Sequence, residues 1–141
     1  MKKIIFILLT FYSISTFAKT KADTITTWKL FKDTELLFEG NEFNKNPSLG
    51  LINLKVNFKY LEFNIFYDFF DNITNKKIEF LVSNKVAKTF TNRDYSNSAF
   101  KIDRNKIYDF LLHNNNKTIT LKYYDDVNKK GIIIGKLKIK I

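Results

Sequence analysis

Few residues in this sequence combine the type and the spacing that chemistry requires, and each has a competing structural use. The run Asp126-Val127-Asn128-Lys129-Lys130-Gly131 begins like a D-x-[DN]-x-[DN]-G calcium loop. Lys130 stands where the third oxygen ligand belongs, and Leu137 occupies the twelfth position, where a bidentate Glu closes such a site. A cation there would meet Lys129 and Lys130, so the run reads as a turn and no metal is expected. His113 is the only histidine. At the end of a predicted helix, it complements the negative pole of the helix dipole. Ser96 or Ser98 can be joined to it on paper as a Ser-His-Asp set, but no spacing supports that arrangement. The loop carboxylates lack an apolar frame that would divide a pair into acid and base. With no cysteine, thiolate nucleophiles, zinc–thiolate sites and disulfides are excluded. The expectation is a non-catalytic protein with no cofactor.

Binding chemistry is better represented. The chain carries 24 Lys+Arg against 14 Asp+Glu, a net +10, yet only Arg93 and Arg104 are arginine. Scarce arginine and inward-alternating aromatics argue against a nucleic-acid partner, which is read by arginine forks and stacking platforms. Lys136, Lys138 and Lys140 alternate with Leu137, Ile139 and Ile141 and therefore share one face of a strand. Such a row either guards an edge strand against edge-to-edge pairing or docks on anionic lipid or glycan phosphates. Lys55 and Lys59 are the candidates to extend it. Heavy use of Asn, Ile, Lys and Phe is also what AT-rich coding produces, so part of the charge needs no functional reading.

Three aromatics stand out of phase with the apolar pattern. Phe66 and Phe70 fall on a polar face with Glu62, Asn64 and Asp68, while Tyr124 breaks the alternation of Ile119, Leu121 and Tyr123. Exposed together, they would form a patch for a protein partner or a sugar ring. Covered by the helix or a second sheet, they would be core.

The elements that must position these residues have a dominant period of two, the mark of half-buried strands. Ile25–Phe31 and Glu35–Glu39 flank Lys32-Asp33-Thr34 as a hairpin, and Gly40 to Gly50 is a loop holding the only proline, Pro47. Between Leu51 and Asp68 the apolar phase slips by one residue with no Gly or Pro, which predicts one long strand bulged near Tyr60-Leu61. Strands follow at Ile78–Val82, Val86–Phe90 and Ala99–Ile102. Asp103 is placed to cap a helix from Arg104 to about Leu112, with Ile107, Phe110 and Leu111 on its buried face and Asn114 as a left-handed C-cap. Thr118–Tyr124, an Asp125–Gly131 turn and Ile132–Ile141 close the chain. About eight or nine strands with one short helix near 104–112 make an all-β, antiparallel sandwich. A helix before the penultimate strand suits a crossover between sheets, and in this the chain resembles immunoglobulin-like folds. The resemblance is one of architecture: the paired cysteines are missing and Trp28 lies in the first strand.

Residues 1–18 read as a cleavable signal peptide, with Lys2-Lys3, an apolar stretch through Ile14, and Thr16-Phe17-Ala18 before Lys19. A second cleavage point follows Ala22. The apolar stretch is shorter than the roughly 20 residues that a membrane span needs. Residues 19–141 then form a single β-sandwich domain of net +8, with 22 basic and 14 acidic residues. Only two predicted strands reach the about 9–11 residues of a membrane barrel strand, which opposes that architecture. The sequence thus predicts an exported bacterial protein of the envelope: periplasmic, associated with the outer membrane, or secreted. Its expected role is an accessory or adhesion-type module for an envelope protein partner. The alternative is a β-domain binding a small ligand, a glycan or anionic lipid.

Overall fold

Alternation of apolar and polar residues organises the chain into two sheets that bury one face each against the other. A computed structural model describes residues 26–67, 73–93 and 99–141. Its strands are β1 (Thr26–Lys32), β2 (Glu35–Asn41), β3 (Leu49–Asn53), β4 (Tyr60–Tyr67), β5 (Lys76–Val82), β6 (Lys85–Asn92), β7 (Phe100–Asp103), β8 (Thr118–Tyr124) and β9 (Ile132–Lys140). The one described helix, α1 (Arg104–His113), lies between β7 and β8. One sheet has the order β2-β1-β4-β7 and the other β3-β9-β8-β5-β6. Every pairing is antiparallel except β3 with β9. This is the predicted all-β sandwich, and α1 carries the chain from the four-stranded sheet to the five-stranded one.

Aromatic side chains fill the space between the sheets. Phe63 of β4 meets Phe80 of β5 edge-on, with ring centroids 6.3 Å apart, and Phe80 in turn meets Phe90 at 5.6 Å and Phe110 of α1 at 5.8 Å. Edge-to-face contacts of this kind suit the ring quadrupoles. Ile107 and Leu111 are fully buried, as the helical spacing predicts. At the side of the core, the end of the Phe38 ring packs against Gly135, where any Cβ would come within 2.3 Å of it. That close approach, rather than a turn, explains a glycine inside β9.

Local chemistry sets the turns. Asp33 is left-handed (φ 53°), and its Oδ1 accepts hydrogen bonds from Lys59 N at 2.8 Å and Tyr60 N at 3.1 Å. Ser83 and Asn84, at φ 50° and 62°, make the two-residue turn between β5 and β6, the backbone that right-twisted hairpins favour.

The predicted long strand from Leu51 to Asp68 does not form. The chain breaks after Asn53 and restarts at Tyr60 in the other sheet. Asn53 supplies the turn that no Gly or Pro announces: its Oδ1 accepts from Lys55 N at 3.0 Å and its carbonyl from Val56 N at 3.3 Å. The one-residue phase slip is therefore a change of sheet, not a bulge. The helix ends also differ from expectation. Asp103 has an extended backbone at the N-cap position, but its side chain caps nothing and pairs instead with Lys106 at 2.9 Å. Asn114 is not left-handed (φ −111°); Asn116 is (φ 63°). The side chains of Asn114 and Asn115 close the helix by donating to the carbonyls of Phe110 and Leu112.

Candidate functional site

The lysine row of β9 lies on the outer face of the five-stranded sheet, because Leu137 and Ile139 take the alternate positions in the core. β9 is not an edge strand: β3 covers it on one side and β8 on the other. Edge protection therefore does not account for Lys136, Lys138 and Lys140. Register places Lys136 between Leu49 and Thr120, Lys138 between Leu51 and Thr118, and Lys140 beside Asn53. Leu49 and Leu51 are 59% and 45% exposed, and Ile133, on the same face of β9, is 50% exposed. Lysines and bare aliphatic side chains thus alternate across neighbouring strands.

Two further lysines extend the face. Lys122 of β8 pairs with Ile133 and Glu79, and Lys77 of β5 pairs with Tyr124. Glu79 is the only carboxylate on the described strands of this face, and it is occupied. Lys77 Nζ donates to its Oε1 at 2.7 Å and Tyr124 Oη to its Oε2 at 2.7 Å. The Lys77 hydrogen bond, aided by Tyr124 and by the charges of Lys77 and Lys122, holds the Glu79 carboxyl below the usual carboxylate range. Of the residues proposed to extend the row, Lys55 follows Asn53 in the turn that Leu54 N ties to the Lys140 carbonyl, so it adjoins the row's end. Lys59 does not join it. Its backbone binds Asp33 and Arg104 N at the start of β4, in the other sheet.

The aromatic candidates do not form one patch. Phe66, 53% exposed, lies opposite Thr27 on the outer face of the four-stranded sheet. Tyr124 lies on the outer face of the five-stranded sheet, with Lys77 Nζ 3.8 Å and Lys122 Nζ 5.0 Å from its ring centre. The two face away from each other across the sandwich. Phe70 lies outside the described residues, as do Ser96, Ser98 and the signal segment.

Where the basic face ends, a cleft of about 350 Å³ opens between the β5 and β6 ends and the loop after β8. Lys76, Lys77, Arg93 and Lys129 line it together with Asp125 and Asp126, and both carboxylates are already used by protein donors. Asp126 accepts from Thr74 N and Oγ1 and from Asn75 N and Nδ2, at 2.9–3.2 Å. Those donors, the Thr74 backbone first, hold its carboxyl far below the ordinary range. The run read as a turn is thus the strap that fastens the segment before β5. Asp125 is buried; its Oδ1 accepts from Val127 N and Asn128 N, and its Oδ2 accepts from the Tyr67 hydroxyl. Burial above all, with Asp125 close by, pushes the hydroxyls of Tyr67 and Tyr123 well above the ordinary phenol value.

Sequence reasoning missed Lys77 and Lys122, whose alternation was visible but whose neighbours were not. Strand order brings them beside β9, and strand order is not written in any one segment. No helix among the described residues is long and apolar enough to cross a membrane. No protein-family model matches the chain, and no curated protein is similar enough to it to count as a relative.

Proposed function

We propose that this chain is an exported, non-catalytic β-sandwich module of the cell envelope that docks on an anionic lipid surface. The observation that carries the reading is the outer face of the five-stranded sheet. Lys136, Lys138, Lys140, Lys122 and Lys77 stand there against one occupied carboxylate, with Leu49, Leu51 and Ile133 exposed among them. Protein–protein interface cores are poor in lysine and rich in aromatics and arginine, so this face suits lipid headgroups better than a protein. Each lysine near an anionic bilayer contributes about 1 kcal/mol, so the β9 row alone supplies roughly a hundredfold in partitioning. The aliphatic side chains fit the interfacial zone beneath the headgroups.

Co-sedimentation with phosphatidylglycerol vesicles tests the reading. Binding is expected at low salt, weakened by added salt and absent with phosphatidylcholine vesicles. Equal binding to both lipids, or none to either, overturns it.

A second reading, an accessory subunit of an envelope protein, has one observation in its favour. β6 pairs with β5 alone among the described strands and is exposed along most of its length, which leaves an edge open to strand addition. Binding to an envelope protein that survives charge reversal of the β9 row would favour it.

A further inference from the structure

Arginine carries more information than lysine in this sequence. Lysine is what AT-rich coding supplies, whereas only Arg93 and Arg104 among 24 basic residues are arginine. Arg104 has a use within the fold: its guanidinium lies 4.1 Å from the Tyr108 ring centre and 5.6 Å from that of Phe58. Arg93 has no such use. It follows β6, is exposed, forms no ion pair with any described residue, and lines the cleft of about 350 Å³.

Strand order brings a second cation to the same space. β5 runs between β6 and β8, so Arg93 after β6 and Lys129 in the loop after β8 reach the cleft from opposite sides of β5. Lys129 is likewise exposed and without an ion pair among the described residues. Between them lies the outward row Thr91, Lys77 and Tyr124, paired across the three strands. The two carboxylates of the cleft are already engaged: Asp126 by donors of Thr74 and Asn75, and Asp125 by Tyr67 and the backbone of its own loop. With Lys76, four basic residues line the cleft against those two acids, and the balance favours an anion.

A guanidinium fork binds phosphate or carboxylate oxygens in pairs. Two cations arriving from opposite sides suit a group with more than one negative charge. A phosphomonoester carries about −1.5 to −2 at pH 7 and three strong acceptor oxygens, whereas a carboxylate carries a single charge. The volume lies at the small end of the range of about 300–1,000 Å³ for ligand pockets, which suits a phosphate on a short polar stem. We propose that this cleft binds a phosphomonoester, with Arg93 and Lys129 holding the phosphate and the polar Thr91 and Asn92 lining the space left for the stem. The site shares only Lys77 with the lysine face and does not rest on lipid docking.

Titration with glycerol 3-phosphate, followed in nitrogen-correlated spectra, reads the site. Saturable shifts are expected at the amides of Lys77, Thr91, Asn92, Arg93 and Lys129, and none from glycerol at the same concentration. Arg93→Gln and Lys129→Gln alter exposed side chains. Each should weaken binding by at least about tenfold, as loss of a charge-assisted hydrogen bond does. Arg93→Lys keeps the charge without the fork and should recover only part of that loss. Lys29→Gln with Lys101→Gln removes two charges from the opposite face and should alter the affinity by no more than about twofold, because the intervening distance screens them. Phosphatidylcholine vesicles carrying phosphatidic acid separate the sources. Binding of glycerol 3-phosphate alone assigns the cleft to soluble esters, and Arg93-dependent binding of the vesicles alone assigns it to a lipid-borne phosphate. Binding of both assigns it to the phosphate group, whichever molecule bears it. No saturable shift together with no Arg93-dependent vesicle binding overturns the proposal, as does a loss in the Lys29 and Lys101 variant equal to that of Arg93→Gln.

Discussion

The two outer faces of the sandwich are built from the same residue types but are wired differently. On the four-stranded sheet, lysines meet carboxylates across strands: Lys29 lies 3.7 Å from Glu39, and Lys101 lies 3.1 Å from Glu62. The Glu62 hydrogen bond raises the Lys101 ammonium above its ordinary value. On the five-stranded sheet, Lys136, Lys138 and Lys140 have no carboxylate within 4 Å among the described residues. Coding bias explains an abundance of lysine on both faces, but it does not explain why the only carboxylate on the described strands of the five-stranded face, Glu79, pairs with Lys77 and leaves the β9 row without an acidic partner. Exposed ion pairs contribute little stability. What the pairing alters is the field, which is largely cancelled on the four-stranded face and left open along the β9 row of the other.

The largest expected effect comes from reversing the open field. Lys136→Glu, Lys138→Glu and Lys140→Glu together should reduce partitioning onto phosphatidylglycerol vesicles by about a hundredfold or more. Lys29→Glu with Lys101→Glu, on the opposite face, should change it by no more than a few-fold. Equal losses from the two sets would erase the distinction between the faces. The substituted side chains are on outward positions of their strands, so thermal unfolding should report little change in either variant.

Next in size is a break in the seam that holds the two faces in their relation. Tyr67, at the end of β4, donates to Asp125, which follows β8 in the other sheet, and accepts from Asn128 Nδ2 at 2.7 Å. Tyr67→Phe leaves a buried carboxylate without one of its donors and should cost about 1–3 kcal/mol of stability. Vesicle binding of the folded variant should be unchanged. The same seam sets an alkaline limit. Because Tyr67 and Tyr123 keep their protons in the folded state at pH values where the unfolded chain releases them, their contribution is complete below a pH of about 10 and is lost as pH rises above it. Phenolate absorbance from these two residues should therefore appear together with loss of tertiary circular dichroism. Full ionisation of every tyrosine before unfolding would refute the buried seam.

Much of this arrangement was legible in local patterns, and the rest was not for identifiable reasons. The hairpin around Asp33, the Ser83-Asn84 turn and the buried face of α1 follow from period and turn chemistry alone, because each is decided within a dozen residues. The break after Asn53 was hidden because a side-chain carbonyl did the work usually announced by Gly or Pro. The interior position of β9 was hidden for a different reason. It depends on parallel pairing with β3, which joins Leu49 to Lys136 and Asn53 to Lys140 far apart in the chain, and alternation cannot report that. The aromatic patch failed on the same ground: Phe66 and Tyr124 are each out of phase, but phase says which face of a strand a residue occupies and not which sheet the strand joins.

The smallest expected effect separates an oriented face from mere net charge. Glu39→Gln with Glu62→Gln removes two negative charges from the four-stranded sheet and frees Lys29 and Lys101. The amide oxygen introduced at position 62 can still accept the hydrogen bond from Asn64 Nδ2, which is 3.1 Å long with the native Glu62. Lost surface pairs of this kind cost about 0–1 kcal/mol each, so the variant should melt close to the parent. Were vesicle binding a matter of total charge, two units of gained positive charge would act like two added lysines and strengthen it by about thirtyfold. Were it oriented through the five-stranded sheet, the altered charges would sit beyond a sandwich whose sheets are about 10 Å apart. That thickness equals the screening length of about 10 Å at moderate salt, so their influence at the bilayer would be mostly extinguished. The oriented reading therefore expects a gain of no more than a few-fold at moderate salt, rising only as salt is lowered and the screening length exceeds the thickness of the domain. A thirtyfold gain at moderate salt would reduce the contrast between the faces to a matter of net charge alone.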